Sequence, residues 1–147
     1  MVSIPVQVSK QGAVIPSKAY KGDAGYDLSS VEKVVLKPFQ RALISTGLSL
    51  AIPEGYGGFV VPRSGLAIKQ GLSVVNAPGL IDSNYRGEIK VIAINFDPEH
   101  DIVINPGDRI AQLVVMSVEE INFMRVDELS DSERGEGGFG SSGVSQG

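Results

Sequence analysis

Four turn signals cut this chain into short pieces: Lys37-Pro38, Ile52-Pro53-Glu54-Gly55, Asp97-Pro98-Glu99 and Asn105-Pro106-Gly107-Asp108. Proline fixes one dihedral at such a turn, and glycine or asparagine permits another. The apolar runs between them are expected as strands at 34–36, 42–52, 58–61, 72–75, 88–95, 101–104 and 109–118. Residues 2–9 alternate apolar and polar and contain Pro5, the pattern of an edge strand that cannot donate every ladder hydrogen bond. Many short strands between turns mean an all-β sandwich or barrel. At 147 residues the chain is the size of one domain with a single core.

One short helix is expected at 64–70, with Ser64 able to cap it and Gly71 able to stop it. Too brief to serve as a packing element, it can present its N-terminal amides to an anion beside Arg63. Residues 11–22 read as a loop leading to Asp23-Ala24-Gly25-Tyr26-Asp27-Leu28. After Val126 the composition becomes acidic and then glycine- and serine-rich, with almost nothing to build a core. A β-barrel catalytic domain at 1–126 and a mobile C-terminal tail at 127–147 are therefore expected.

Composition narrows the chemistry. A net charge of -4 argues against a broad nucleic-acid surface. Without cysteine there are no disulfides or thiolates, and the single histidine, His100, leaves no nitrogen and sulfur ligand set for zinc. No apolar run approaches membrane-spanning length, and the first residues lack the basic start and apolar stretch of a signal peptide. An intracellular protein, cytoplasmic or nuclear, with neither nucleic acid nor membrane as partner is the expectation.

The stretch 76–95 flanks a polar tip with two apolar runs, and the tip holds Asp82 and Tyr85 ahead of Arg86-Gly87. A strand, a turn and a returning strand would put both side chains on one rigid knuckle, with Gly87 supplying the backbone freedom of the turn. Taken alone, it reads equally as a polar hairpin tip with an exposed aromatic. Pro62-Arg63-Ser64-Gly65 reads either as a solvated charge before a plain cap or as a phosphate site. Asp27 can be a turn residue, Asp108 and Arg109 can pair to tie down a turn, and His100 is a surface loop residue. Gln112, in an otherwise apolar strand, needs a hydrogen-bond partner if buried. The tail reads as a disordered end, yet Arg134 can clamp a phosphate and Phe139 can stack on a base, while the glycines let backbone amides approach oxygens. Together these residues make a lid. Two phosphate clamps, a stacking aromatic and a carboxylate on a rigid turn are the parts needed to hydrolyse a nucleoside triphosphate. P-loop spacing is absent, so the scaffold would be β.

With these residues the chain resembles the trimeric dUTP diphosphatases (dUTPases). Five motifs of that family occur in order, at 23–29, 62–72, 76–89, 106–113 and 134–143, with Gly-Leu-Ile-Asp-Ser-Asn-Tyr-Arg-Gly at the centre. Asn84 stands where many relatives carry an acid, a departure that leaves Asp82 intact. The resemblance implies a jelly-roll-like barrel that forms a homotrimer, with three active sites each assembled from all three subunits. It implies hydrolysis of dUTP to dUMP and pyrophosphate, which keeps uracil out of DNA and supplies dUMP for thymidylate synthesis. By the same resemblance Asp82 is the general base. Asn76, Gly79 and Lys90 belong to the base-binding segment, and Tyr85 packs under deoxyribose and crowds out a 2′-hydroxyl. Arg63, Ser64 and Gly65 contact the phosphates, and Gln112 reaches toward them from another subunit. Arg134, Phe139, Gly140 and Ser141 form the closing tail. The implied cofactor is Mg2+, held mainly by the substrate phosphates and by Asp27 through a water. Two other classes share parts of the pattern. The related deoxycytidine triphosphate deaminases fit Tyr85 and the full tail less well, and a non-enzymatic trimeric interaction module would have no use for Asp82 and Asp27.

Overall fold

The computed structural model describes residues 1–145; Gln146 and Gly147, the last two of the expected tail, lie outside the described residues. Turns and alternation resolve there into β1 (Val6–Val8), β2 (Tyr26–Ser29), β3 (Val34–Leu36), β4 (Arg41–Leu50), β5 (Tyr56–Val61), α1 (Ser64–Gln70), β6 (Leu72–Val74), β7 (Gly79–Ile81), β8 (Glu88–Asn95), β9 (Ile102–Ile104) and β10 (Arg109–Ser117). The turns close as their residues require. Tyr56 N donates to Pro53 O at 3.1 Å, with Gly55 at φ 82°. The Asp97 carboxylate accepts from Glu99 N and His100 N at 2.8 and 2.7 Å, and the Asp108 carboxylate accepts from Asn105 N at 2.8 Å.

All ladders are antiparallel and fall into three sheets, ordered β1-β4-β8-β6, β2-β10-β5-β7 and β3-β9. The two four-stranded sheets enclose one core. Along β8, Ile89, Val91, Ala93 and Asn95 are buried while Lys90 is exposed, the period of two that a half-buried strand needs. Leu28, Val60, Ile81 and Leu113 meet them from the other sheet, and Leu36, Ile102 and Ile104 close one end. The ladders do not join into a closed barrel; the architecture is an open, jelly-roll-like pair of sheets. Asn95 is polar yet wholly buried, because its carboxamide donates to Leu36 O and His100 O and accepts from Asp97 N.

Several local expectations change. The edge strand begins after Pro5, whose carbonyl accepts from Ala51 N at 3.0 Å. Tyr26–Ser29, for which no strand was expected and where Asp27 could be a turn residue, is a strand because β10 supplies its ladder from 80 residues away in sequence. Ser64 does not cap the helix: Arg63 occupies the N-cap position with no side-chain bond, and Gly71 closes the C-terminus at φ 73° as expected. The largest change concerns the central knuckle. β7 pairs with β5 and β8 with β4 and β6, so the turn at 82–87 carries the chain from one sheet to the other and is not the tip of a paired hairpin. Residues 119–136 carry no helix or strand and are exposed throughout.

Candidate active site

The expected site residues separate into two cavities and a tail. The first cavity, of about 470 Å³, is lined by Asn76, Gly79, Asp82, Tyr85 and Lys90 together with apolar side chains such as Leu43 and Val74. β7 brings Gly79 against Val60, and a Cβ there would crowd the Asn76 carboxamide at 3.2 Å, so glycine lets the backbone itself form the cavity wall. The turn beyond it is internally braced. Tyr85 N donates to Asp82 O at 3.1 Å, and the Arg86 guanidinium donates to Ser83 O and Tyr85 O at 2.7 and 2.9 Å. Gly87 serves this turn through space, not through a positive φ: a Cβ there would overlap the Tyr85 ring. Asp82 is exposed, and no described residue donates a hydrogen bond to its carboxylate. It is a free acceptor facing the cavity.

The cavity is also lined by Glu88, a carboxylate inside the motif at 76–89 that was not among the expected site residues. Glu88 accepts from Ser45 Oγ and from Gly47 N (2.9 Å), and lies 3.3 Å from Lys10 Nζ and 3.8 Å from Lys90 Nζ. Burial pushes its carboxyl up, but the Ser45 hydroxyl, the Gly47 amide and the Lys10 ammonium outweigh that and hold it below its ordinary value. These partners come from β4 and from the loop after β1, so nothing within a few residues of Glu88 could have revealed them.

The second cavity, of about 500 Å³, is lined by Asp27, Arg63, Ser64, Gly65, Lys69 and Gln112 among others. Asp27 sits on β2, not in a turn. Its two oxygens are held by Arg63 Nε at 3.0 Å and Arg109 Nη1 at 3.2 Å. The expected tie between Asp108 and Arg109 is thus replaced by a long-range pair, which adds Arg109 to the site residues. Gln112 finds its partner in Pro62 O at 3.0 Å and lies flat over Gly25, where a Cβ would overlap its carboxamide. Arg63 and Lys69 on the wall of this cavity, with Arg109 reaching its Asp27, suit an anion with several charged oxygens.

The two cavities share no lining residue. β2 and β7 are opposite edges of the same sheet, with Asp27 level with Val61 of β5 and Asp82 level with Gly57. Three strand spacings across and four residues along put the two carboxylates on the order of 20 Å apart. The tail joins neither cavity. Arg134 Nε donates to Gly137 O at 2.6 Å, Ser141 N donates to Gly138 O at 3.0 Å, and Gly140 follows a fully exposed Phe139. Within the described residues these tail bonds are all internal to the tail.

A family model for dUTPase matches residues 11–143. The deoxyuridine 5'-triphosphate nucleotidohydrolase of Thermobifida fusca is 57% identical over 129 residues, 88% of this chain and 72% of that one. The enzyme of the same name from Cutibacterium acnes is 50% identical over 145 residues, 99% of this chain and 95% of that one. Among solved structures, the Staphylococcus bacteriophage 80alpha dUTPase with dUPNHPP superposes with a TM-score of 0.90 at 36% identity, covering 98% of this chain and 100% of that one. A mutant dUTPase from phage phi11 of S. aureus, whose structure details the coordination of a structural Mg(II) ion, superposes with a TM-score of 0.81 at 29% identity, covering 88% and 100%.

Proposed function

This chain belongs to the dUTPase family, and on that premise we propose that it hydrolyses dUTP to dUMP and pyrophosphate at sites shared between the subunits of a homotrimer. The observation that carries this reading is the separation of the two cavities. One holds a free carboxylate among backbone and apolar walls fit for a nucleoside; the other holds Arg63 and Lys69, cations fit for phosphates. A triphosphate reaches only about a nanometre past its sugar, so a gap on the order of 20 Å within one chain is closed by bringing the second cavity from a neighbouring copy.

In this site the turn cavity takes the uracil. Backbone groups around Gly79 and the carboxamide of Asn76 meet the base edge, and cytosine, with a donor where uracil has an acceptor, leaves buried groups unpaired. Tyr85 lies under the deoxyribose. Asp82 accepts a proton from the attacking water, which forms a bond to the α-phosphorus as the bond to pyrophosphate breaks in line. Arg63, Ser64, Gly65, Arg109 and Gln112 hold the phosphate oxygens. Arg134, Phe139, Gly140 and Ser141 close from the tail, with Phe139 over the base.

Among the described residues no three His, Cys, Asp or Glu side chains come together, so the chain offers no metal cage of its own. A single, largely buried carboxylate at Asp27 fits a hard cation that takes most of its ligands from phosphate oxygens and water. Asp27 would hold magnesium through water, and when bound the ion would neutralise charge on the triphosphate. The test is pyrophosphate release with magnesium from dUTP, dTTP, dCTP and UTP in parallel, with the mass in solution measured alongside. Fast release from dUTP alone by a trimer is expected; release of ammonia from dCTP, or turnover by a monomer, would overturn the reading.

A further inference from the structure

The turn at 82–87 carries Asp82 and Tyr85, yet the strands it joins lie in different sheets, so no ladder between β7 and β8 sets where it stands. Another contact has to hold it. Tyr85 lies across Gly87, and its hydroxyl donates to the Glu88 carbonyl at 3.0 Å, so the ring follows the backbone of Glu88. The Glu88 side chain is itself anchored. One carboxylate oxygen accepts from Ser45 Oγ and Gly47 N and lies 3.3 Å from Lys10 Nζ; the other lies 3.8 Å from Lys90 Nζ on the cavity wall. The Gly47 amide is free to donate because the β4–β8 ladder shifts register between Ser45 and Leu48, and an amide released by a bulge needs an acceptor. Thr46, in the same bulge, donates to Ile89 O at 2.5 Å and ties the next residue of β8 to it.

We propose that Glu88 is the positioning residue for sugar selection: its carboxylate binds the β4 bulge and Lys10 to the start of β8, and thereby fixes Tyr85 and Lys90 against the nucleoside cavity. This rests on the reading of Tyr85 as the side chain beneath deoxyribose. A purely structural Glu88 would lower stability when replaced but leave the preference for dUTP over UTP unchanged. A positioning Glu88 moves that preference, because a ring displaced by a fraction of an ångström no longer crowds a 2′-hydroxyl.

The experiment compares kcat/KM for dUTP and UTP in the full chain and in Glu88→Ala, Glu88→Gln, Lys10→Met and Tyr85→Ala. Glu88→Ala should lower the dUTP-to-UTP ratio by about tenfold, chiefly through a higher kcat/KM for UTP as the 2′-hydroxyl is admitted, and Lys10→Met by about threefold, within the range for misplacing a substrate contact. Glu88→Gln keeps an oxygen toward Ser45 and Gly47 and should restore most of the ratio. Should Glu88→Ala not give soluble protein, Lys10→Met carries the same test from outside the cavity. An unchanged ratio in the Glu88 and Lys10 variants, with a loss in Tyr85→Ala, overturns the positioning role and leaves the sugar reading standing. An unchanged ratio in Tyr85→Ala as well overturns both.

Discussion

The turn at 82–87 and the tail beyond Val126 are both irregular, polar and exposed, yet they are held in opposite ways. The turn is pinned at every step, by Arg86 to two carbonyls, by Tyr85 to Glu88, and by Glu88 to β4 and Lys10. Among the described residues the tail bonds only to itself, through short contacts such as Arg134 to Gly137. A group that must select a base and move one proton needs a fixed place, whereas a group that must admit and release substrate cannot have one. On the proposed function, the braced region carries the chemistry and the loose one the closure.

The sharpest way to break that assignment is at Asp82. Replacement by Asn preserves shape but removes the proton acceptor, and turnover of dUTP should fall roughly 10²- to 10⁴-fold with nucleotide binding retained. Near-normal turnover in a steady-state assay would take the chemistry away from the braced turn. Next comes removal of everything from Arg134 onward. Since the described tail adds nothing to the core, the melting temperature should stay within a few degrees, while kcat/KM falls by about 10²-fold through loss of the closing contacts. Full activity without the tail, or a large drop in melting temperature, contradicts a lid. Phe139→Ala isolates one part of it, and nucleotide affinity should weaken by about 1–3 kcal/mol, the range for a base losing an aromatic stacking partner. Equal titration curves for the two proteins would remove Phe139 from the site.

The smallest effect separates the bracing itself. Because the folded protein holds the Glu88 carboxyl below its ordinary value of 4.5, the contribution of this group is present above that value and fades as the pH falls through the lowered one. The melting temperature should therefore fall below about pH 4.5 more steeply in the wild type than in Glu88→Gln, whose side chain does not titrate. Parallel curves would mean that other carboxylates cause the acid loss.

Much of this was legible in the chain. Turn residues and apolar patterning marked most strands of the three sheets, as at Leu72–Val74 and Ile102–Ile104. Candidate site residues were legible because each stands in a motif, and residues of one motif line one cavity: Asp82 and Tyr85 the first, Arg63 and Ser64 the second. What failed did so for one reason. Tyr26–Ser29 was not expected as a strand because its partner lies in β10, and Asp108 looked like the partner of Arg109 because it is next to it, although Asp27 lies across the ladder. Glu88 stands inside a motif, yet its anchoring was not legible there, since Lys10, Ser45 and Gly47 all lie far from it in sequence.

By itself, then, the sequence determined an all-β chain with one short helix, the family, and the residue types that a nucleotide site requires, because those follow from local periodicity, turn chemistry and motif. Only the tertiary structure decided that the central turn crosses between sheets, that Arg63 and Arg109 share Asp27, and that the two cavities stand at opposite sheet edges. Ladder register and side-chain charge pairing are contacts between distant parts of the chain. Their energies depend on which strands meet, and no stretch of residues carries that information alone.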